Sequence, residues 1–518
     1  MTLRICQILF LLLCTAVTTR AADRPSIIIF LADDLGYADI GVNGCQDIPT
    51  PNIDSIANNG VRFTDGYATH CVCSPSRAGL MSGMYQHRFG FEANSGPERY
   101  ADPNFGLPRS VPTLAEKLHA AGYATGMIGK WHIGYREGLR PHERGFDYHY
   151  GFLSGAHSYN PGQRDNSTIV RNGEPVKPTR YLTDEFAEEA AGFLDRSRNQ
   201  PFFLYLAFNA VHSPMDANPC EQRFEGLSGK RRTFAGMLTA LDLAVGRVLD
   251  TVRKQGREEN TLVFFYSDNG GPTADNSSRN TPLRGFKTQF YEGGIRVPFL
   301  MQWKAQIPAG QTYGEMVAGF DCHVTALAAA GIAVPLNQPL DGADLVPFVT
   351  GQASGRPHDH LFWRAGQQHA ARVGDWKLVQ ERGGSDQLFN LADDIGETED
   401  LANSEPAKLQ ELQAAYAAWD SRMLPAQWVR QDASNAQPGG KLRAKGKGPG
   451  GPGAANRIAA AFEAADKDGD GRLTRAEYPQ QELFDAVDAD DDGFATVAEV
   501  RAFYQQRRSA PETTPKSP

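Results

Sequence analysis

The sequence predicts an α/β fold around a large, mostly parallel central sheet, followed by a tethered helical module. Three observations carry this expectation. Up to about residue 435, apolar runs of strand length alternate with helical patterns, the rhythm of an α/β sheet. Four of those runs end in polar residues capable of chemistry. Beyond them a stretch rich in Gly, Pro and Lys leads into two acidic loops of fixed spacing.

Taken in order, residues 5–17 (ICQILFLLLCTAV) form an apolar run behind Arg4 that is short for a bilayer span. Small residues follow at Thr19, Ala21 and Ala22, so residues 1–22 read as a secretory signal peptide, with a retained N-terminal anchor as the alternative. No later stretch reaches the ~18 apolar residues of a membrane helix, so the expectation is a secreted or periplasmic protein with no stable membrane span. The 518 residues carry 61 acidic and 52 basic side chains, a formal charge of −9, with 41% hydrophobic and 22% charged residues. These values suit a soluble globular protein and exclude disordered, fibrous and multi-span classes. The acidic balance argues against nucleic-acid partners. Cys6 and Cys14 leave with the signal, and Cys45, Cys71, Cys73, Cys220 and Cys322 remain. An odd number suggests one thiol with another task, and pairing among the other four is open.

The four strand-like runs are SIIIFLA (26–32), ending in Asp33-Asp34; ATGMIG (124–129), leading to Lys130-Trp131-His132; FFLYLAF (202–208), leading through Asn209 to His212; and TLVFFYS (261–267), ending in Asp268-Asn269. Continuous apolar runs suit parallel strands buried on both faces, and ligands bind beyond the carboxyl ends of such strands. Asp33, Asp34, Asp268 and Asn269 are hard oxygen donors, a set that selects calcium or magnesium over zinc. Taken alone, Asp33-Asp34 would suit a helix cap or turn. Residues 71–83 (CVCSPSRAGLMSG) place Pro75 and Arg77 just after Cys73, so the local reading is a helix start carrying an activated cysteine. Singly, Lys130, His132 and Lys287 also suit a surface, and His212 before Ser213-Pro214 suits a turn.

The Cys73-Ser74-Pro75-Ser76-Arg77 stretch closely resembles the signature of the type I, formylglycine-dependent sulfatases, arylsulfatase-like enzymes. The resemblance runs from about Arg24 to Ala426. It takes in Asp33-Asp34, Gly129-Lys130-Trp131-His132, Asn209-Ala210-Val211-His212, Ser267-Asp268-Asn269-Gly270, Arg284-Gly285-Phe286-Lys287 and 291–298 (YEGGIRVP). Gly79 and Ser82 depart mildly from the signature. The resemblance implies an alkaline-phosphatase-like sandwich with a catalytic domain at 23–350. A smaller C-terminal antiparallel sheet at 351–435 would contain Asp375-Trp376-Lys377-Leu378 and Leu388-Phe389-Asn390-Leu391. It implies that Cys73 is converted to formylglycine (3-oxoalanine) by a formylglycine-generating enzyme, and that Ca2+ is held by Asp33, Asp34, residue 73, Asp268 and Asn269. Asp268 would also help deprotonate the nucleophilic hydroxyl. It further implies that Lys130 and Lys287 hold sulfate, Arg77 orients the nucleophile, His212 is the general acid and His132 the base. The expected substrate is a sulfate ester, with a sulfated glycan preferred because export and a tethered module suit polymer degradation. A phosphonate or phosphate ester hydrolase of the same superfamily, and a non-catalytic calcium-dependent binding protein, are the competing readings. Residues 87–97 and 151–160, with His157, are candidate substrate-facing elements.

After a linker at 436–455, residues 456–508 carry two loops matching D-x-D-x-D-G-x5-E. Asp466, Asp468, Asp470, Arg472 and Glu477 form the first ligand set, and Asp488, Asp490, Asp492, Phe494 and Glu499 the second. Carboxylates at positions one, three, five and twelve and a backbone carbonyl at seven describe an EF-hand pair binding Ca2+. Ala495, where a bulkier residue usually bridges the loops, predicts looser pairing there. Residues 509–518 read as a disordered tail.

Overall fold

The computed structural model describes residues 24–96, 104–163, 167–333 and 340–428. In the C-terminal region it describes 472–475, 477–478, 483–490, 492–496 and 499–500. The expected signal peptide, linker and tail and the first-loop aspartates Asp466, Asp468 and Asp470 lie outside the described residues. The chain divides into two compact units, 1–430 and 431–518.

The first unit is built on a ten-stranded sheet. Its order is β11 (Gln311–Tyr313), β2 (Val61–Phe63), β10 (Phe299–Gln302), β9 (Thr261–Ser267), β1 (Ser26–Ala32), β8 (Phe202–Ala207), β4 (Ala124–Lys130), β5 (Tyr148–Phe152), β6 (Val170–Arg171) and β7 (Glu174–Pro175). The four strands expected from sequence, β9, β1, β8 and β4, are consecutive neighbours, all parallel. Their apolar runs have no polar side because both faces are covered. Ile28, Phe30 and Ala32 of β1 face a core shared with α1 (Pro51–Asn58), α4 (Leu182–Arg196) and α5 (Gly229–Lys254). Ile27, Ile29 and Leu31 face the opposite core with α2 (Cys73–Ser82), α3 (Leu114–Ala120) and α7 (Asp321–Ala329). The period of two is thus present, with apolar demand on both sides.

Register does the rest. Ala32 pairs with Ser267, so Asp33 and Asp268 are the next residues on adjacent strands. Lys130 closes β4, two strands from β1. A short pair, β3 (Gly66–Tyr67) with β12 (Val317–Ala318), and two short helices, α6 (Glu292–Ile295) and α8 (Val346–Val349), complete this half.

A four-stranded antiparallel sheet comes next: β13 (His360–Ala365), β14 (Gln368–Val373), β15 (Trp376–Gln380) and β16 (Gln387–Asn390). α9 (Pro406–Asp420) covers it, burying Leu412 and Trp419 in a core shared with Phe362, Leu378 and Phe389. This is the smaller sheet expected from the sequence. The five cysteines of the described residues are all free thiols.

In the second unit, β17 (Leu473–Thr474) pairs antiparallel with β18 (Phe494–Ala495), and α10 (Phe484–Val487) precedes the second loop. Ala495 is fully buried opposite Leu473, so the small residue still closes the bridge. Arg472 and Phe494, the position-seven residues, stack cation over ring at 5.2 Å. Asp488, Asp490 and Asp492 bring carboxylate oxygens within 4.8 Å of one another. Gly493 turns the loop at φ 84°, a conformation open to glycine. Glu499 and Glu477 accept from the backbone N–H groups of Thr496 and Thr474 at 2.9 and 3.0 Å.

Candidate active site

Three buried carboxylates and three cations meet beyond the carboxyl ends of β1, β4 and β9. Lys130 Nζ lies 2.6 Å from Asp33 Oδ2, with both side chains wholly buried. Arg77, from the first half of α2, donates from Nε to Asp268 Oδ2 at 2.9 Å and from Nη1 to the Lys130 carbonyl at 2.7 Å. Lys287 Nζ reaches Asp34 Oδ1 at 2.7 Å. Each carboxylate therefore has its own cation. At Asp33 burial raises the pKa, but Lys130, His212, Arg77 and Lys287 together outweigh it and hold the carboxyl well below its usual range. At Asp268, burial with the adjacent Asp33 charge prevails and the pKa rises to about 6. The surface reading of Lys130 and Lys287 and the helix-cap reading of Asp33-Asp34 do not fit this geometry.

Asn269 donates from Nδ2 to Asp34 Oδ1 at 2.7 Å and to the Gly270 carbonyl at 3.0 Å. Its Oδ1 is buried with no hydrogen-bond partner among the described residues. A buried acceptor left bare costs about 1–3 kcal/mol. Beside Asp33 and Asp34, that oxygen is where a hard cation would be welcome, so the donor set fits calcium. Asp33, Asp34, Cys73 and His212 also bring ligand atoms within 4.8 Å of one another.

Cys73 opens α2 as the sequence predicts, with Pro75 in its first turn and Sγ 3.5 Å from Asp33 Oδ1. The expected activation is not found. Burial, with help from Asp268 and Asp33, outweighs Lys130 and Lys287 and pushes the thiol up to about 12. As a free thiol the residue is a poor nucleophile.

His132 is buried and its pKa falls well below the usual value, first through burial and then through Lys130 and Arg77. Its Nε2 lies 3.2 Å from the Ser95 carbonyl, which can only accept, so Nε2 carries the hydrogen and Nδ1 is a bare, buried acceptor. His212 Nδ1 meets the Ser213 carbonyl, and Nε2 stands 3.6 Å from Asp34 Oδ2. The His212 side chain is 18% exposed, so of the two histidines it is the one open to a substrate.

The braces of this site escaped the sequence reading. Ser95 links Ser74 to His132, its Oγ donating to the His132 carbonyl at 2.8 Å and its N–H to Ser74 Oγ at 3.2 Å. Asn94 Oδ1 accepts from the Ser74 N–H at 3.0 Å. Asn276 Nδ2 ties the Asp34 and Val211 carbonyls at 3.1 and 3.0 Å, and Tyr159 OH donates to the Asn209 and His212 carbonyls. Ser95 and Tyr159 fall in the two segments expected to face substrate, yet both are buried supports. His157 lies in the second segment with its ring 5.3 Å from Phe152.

Comparisons with known proteins identify the family. The family profile described as Sulfatase matches residues 25–332, that of N-sulphoglucosamine sulphohydrolase, C-terminal, matches 286–415, and an EF hand profile matches 458–478. N-acetylgalactosamine-6-sulfatase of Sus scrofa is 34% identical over 383 residues, 69% of this chain and 72% of the relative. The uncharacterized sulfatase YdeN of Escherichia coli (strain K12) is 31% identical over 67% of this chain and 70% of its own length. The crystal structure of Ps i-CgsB in complex with k-i-k-neocarrahexaose superposes with a TM-score of 0.75 at 36% identity, covering 79% of this chain and 96% of that one. The fold and the family matches define a sulfuric ester hydrolase of alkaline-phosphatase-like architecture. The chain belongs to the sulfatase family and is a sulfatase, with an EF-hand module beyond its catalytic unit.

Proposed function

We propose that the protein is an exported, calcium-dependent sulfatase that removes sulfate from a carbohydrate, with its nucleophile made from Cys73. The observation that carries the site assignment is the convergence of Cys73 with Asp33, Asp34 and His212, beside Asp268 and the bare Asn269 oxygen. Support for a carbohydrate comes from the pig N-acetylgalactosamine-6-sulfatase and from the neocarrahexaose complex of Ps i-CgsB. The apolar run at 5–17 supports export. A formylglycine at position 73 would supply a hydrated aldehyde, whose two hydroxyls allow attack on sulfur and then self-release of sulfate. Calcium, held by Asp33, Asp34, Asp268, Asn269 and residue 73, would supply charge for the sulfate oxygens.

The chain's own residues do the rest. Lys130 and Lys287 offer ammonium hydrogens to the non-bridging sulfate oxygens, the preorganised charge that usually dominates catalysis. Arg77 fixes the start of α2 by holding Asp268 and the Lys130 carbonyl. Asp268, raised by burial and Asp33, is suited to accept a proton from the attacking hydroxyl. His212 delivers a proton to the leaving alcohol from Nε2, because Nδ1 is engaged by the Ser213 carbonyl. His132 accepts a proton at Nδ1, the tautomer being set by the Ser95 carbonyl. The EF-hand module binds calcium as a structural or docking element, since millimolar extracellular calcium fills even weak sites.

The test is mass spectrometry of the peptide containing residue 73 from protein made in its native host, beside sulfate release from sulfated oligosaccharides. An aldehyde or its hydrate with sulfate release is expected. An intact thiol in an active preparation refutes the nucleophile, and faster turnover of a matched phosphate ester refutes the substrate class.

A further inference from the structure

A buried ionic network lies behind the catalytic loops, and it joins the small sheet to them. Lys377 of β15 places Nζ 2.7 Å from Glu292 Oε1 and 2.9 Å from Glu397 Oε1, all three side chains fully buried. Glu397 Oε2 accepts from the Glu292 backbone N–H at 2.7 Å. Glu292 Oε2 accepts from Tyr67 OH at 2.7 Å and meets Arg296 Nη1 at 3.2 Å. Arg296 and Arg372 in turn share Asp65. Three carboxylates thus face three cations, and the formal charges balance. Burial raises both glutamates; Lys377, Arg296 and Arg372 reverse this at Glu292, whereas Glu397 stays raised.

Glu292 is the first residue of α6, and the next two residues, Gly293 and Gly294, are bare backbone. The Gly270 N–H donates to the Gly294 carbonyl at 3.0 Å, and the Gly293 N–H to the Arg284 carbonyl at 2.6 Å. A Cβ at Gly270 would stand 1.9 Å from the Gly293 oxygen, and one at Gly294 would stand 2.0 Å from the Gln289 oxygen. The turn holding Asp268 and Asn269 and the turn holding Lys287 therefore rest on Gly293-Gly294 with no side chain between to absorb movement. We infer that Lys377 is a positioning residue for sulfate hydrolysis: by fixing Glu292 it sets the place of α6, and through α6 the place of Asn269 and Lys287. A misplacement of about 1 Å at a reacting group costs on the order of 100-fold in rate.

The inference rests on the sulfatase reading, because its readout is sulfate release from 4-nitrophenyl sulfate by the full chain made in a host that converts residue 73. Lys377→Gln is expected to lower kcat about 100-fold with KM within about 3-fold of wild type, a loss that sits in the chemical step. Lys377→Arg, which keeps the charge, is expected to restore kcat to within about 10-fold. Tyr67→Phe removes one hydrogen bond from Glu292 and no charge, and is expected to lower kcat about 3-fold or more. A folded Lys377→Gln protein with unchanged kcat, or one changed in KM alone, overturns the positioning role. If that variant does not fold, unchanged kcat in Tyr67→Phe overturns it. A wild-type chain with converted residue 73 and no sulfate release sinks the sulfatase reading itself, whereas an active wild type beside a fully active Lys377→Gln sinks only this one.

Discussion

Replacing Lys130 by Met separates what its charge does for the fold from what it does for catalysis. Met keeps most of the aliphatic stem, so little cavity is added. What disappears is a cation 2.6 Å from Asp33 in a wholly buried site. Breaking a buried pair by removing one partner costs about 3–5 kcal/mol. Arg77 Nη2 remains 3.7 Å from the same carboxylate, which places the cost at the lower end, about 3 kcal/mol. Calcium beside Asp33 would replace the missing charge, so the penalty should be largest in chelator and shrink as calcium is added. The catalytic loss should not shrink: removing one preorganised donor to the transition state costs on the order of 100- to 1000-fold in kcat/KM. Urea unfolding monitored by tryptophan fluorescence is the assay for the first effect. All six tryptophans precede residue 430, so the signal reports the catalytic unit alone. Initial rates on an aryl sulfate measure the second. An unchanged urea midpoint in chelator, or kcat/KM within about 10-fold of wild type at saturating calcium, refutes the reasoning.

Asn269→Leu removes the bare oxygen, and the free calcium needed for half-maximal activity should rise about 10-fold or more in calcium-buffered assays; an unchanged requirement would mean that Oδ1 is not a ligand. His358 is buried 2.8 Å from Asp321, and although burial lowers its pKa, Asp321 prevails and the pKa is raised above 6.5. Its stabilisation is then complete below pH ~6.5 and is lost as pH climbs through the folded value, so His358→Gln should destabilise the catalytic unit at pH ~6 and have progressively less effect toward pH ~9. Equal destabilisation at both pH values would contradict this. Asp488→Ala should remove one calcium from the stoichiometry seen by calorimetry on the full chain, since Asp488 also accepts from the Asp492 and Gly493 N–H groups at 3.1 and 3.0 Å; an unchanged stoichiometry would exclude the second loop as a site.

Much of the site was legible because it depends on local pattern. Apolar runs such as SIIIFLA and TLVFFYS can be satisfied only by burial on both faces, and a parallel register then sets Asp33 beside Asp268. Pro75 marked the start of α2 for the same local reason. The cysteine shows the limit. The helix start and nearby cations argue for activation, but the closing of the fold around Cys73 adds a desolvation penalty that exceeds them. Ser95, Asn276 and Tyr159 were not legible as braces, because their hydrogen bonds go to backbone atoms 37 to 242 residues away, which no spacing rule encodes. The order of strands, which puts β8 between β1 and β4, is likewise a long-range arrangement that no local spacing encodes.

All ten residues of α2, from Cys73 to Ser82, are buried. Another enzyme is too large to reach residue 73 at the start of such a buried helix; it would need the segment unwound and free. Any protein-catalysed conversion of residue 73 is therefore a race against folding, and the finished molecule keeps the result. A chain that folds first is sealed with its thiol and stays sealed for as long as the fold lasts. If activity depends on that conversion, as proposed, the active fraction of a preparation would record the order of two events during synthesis.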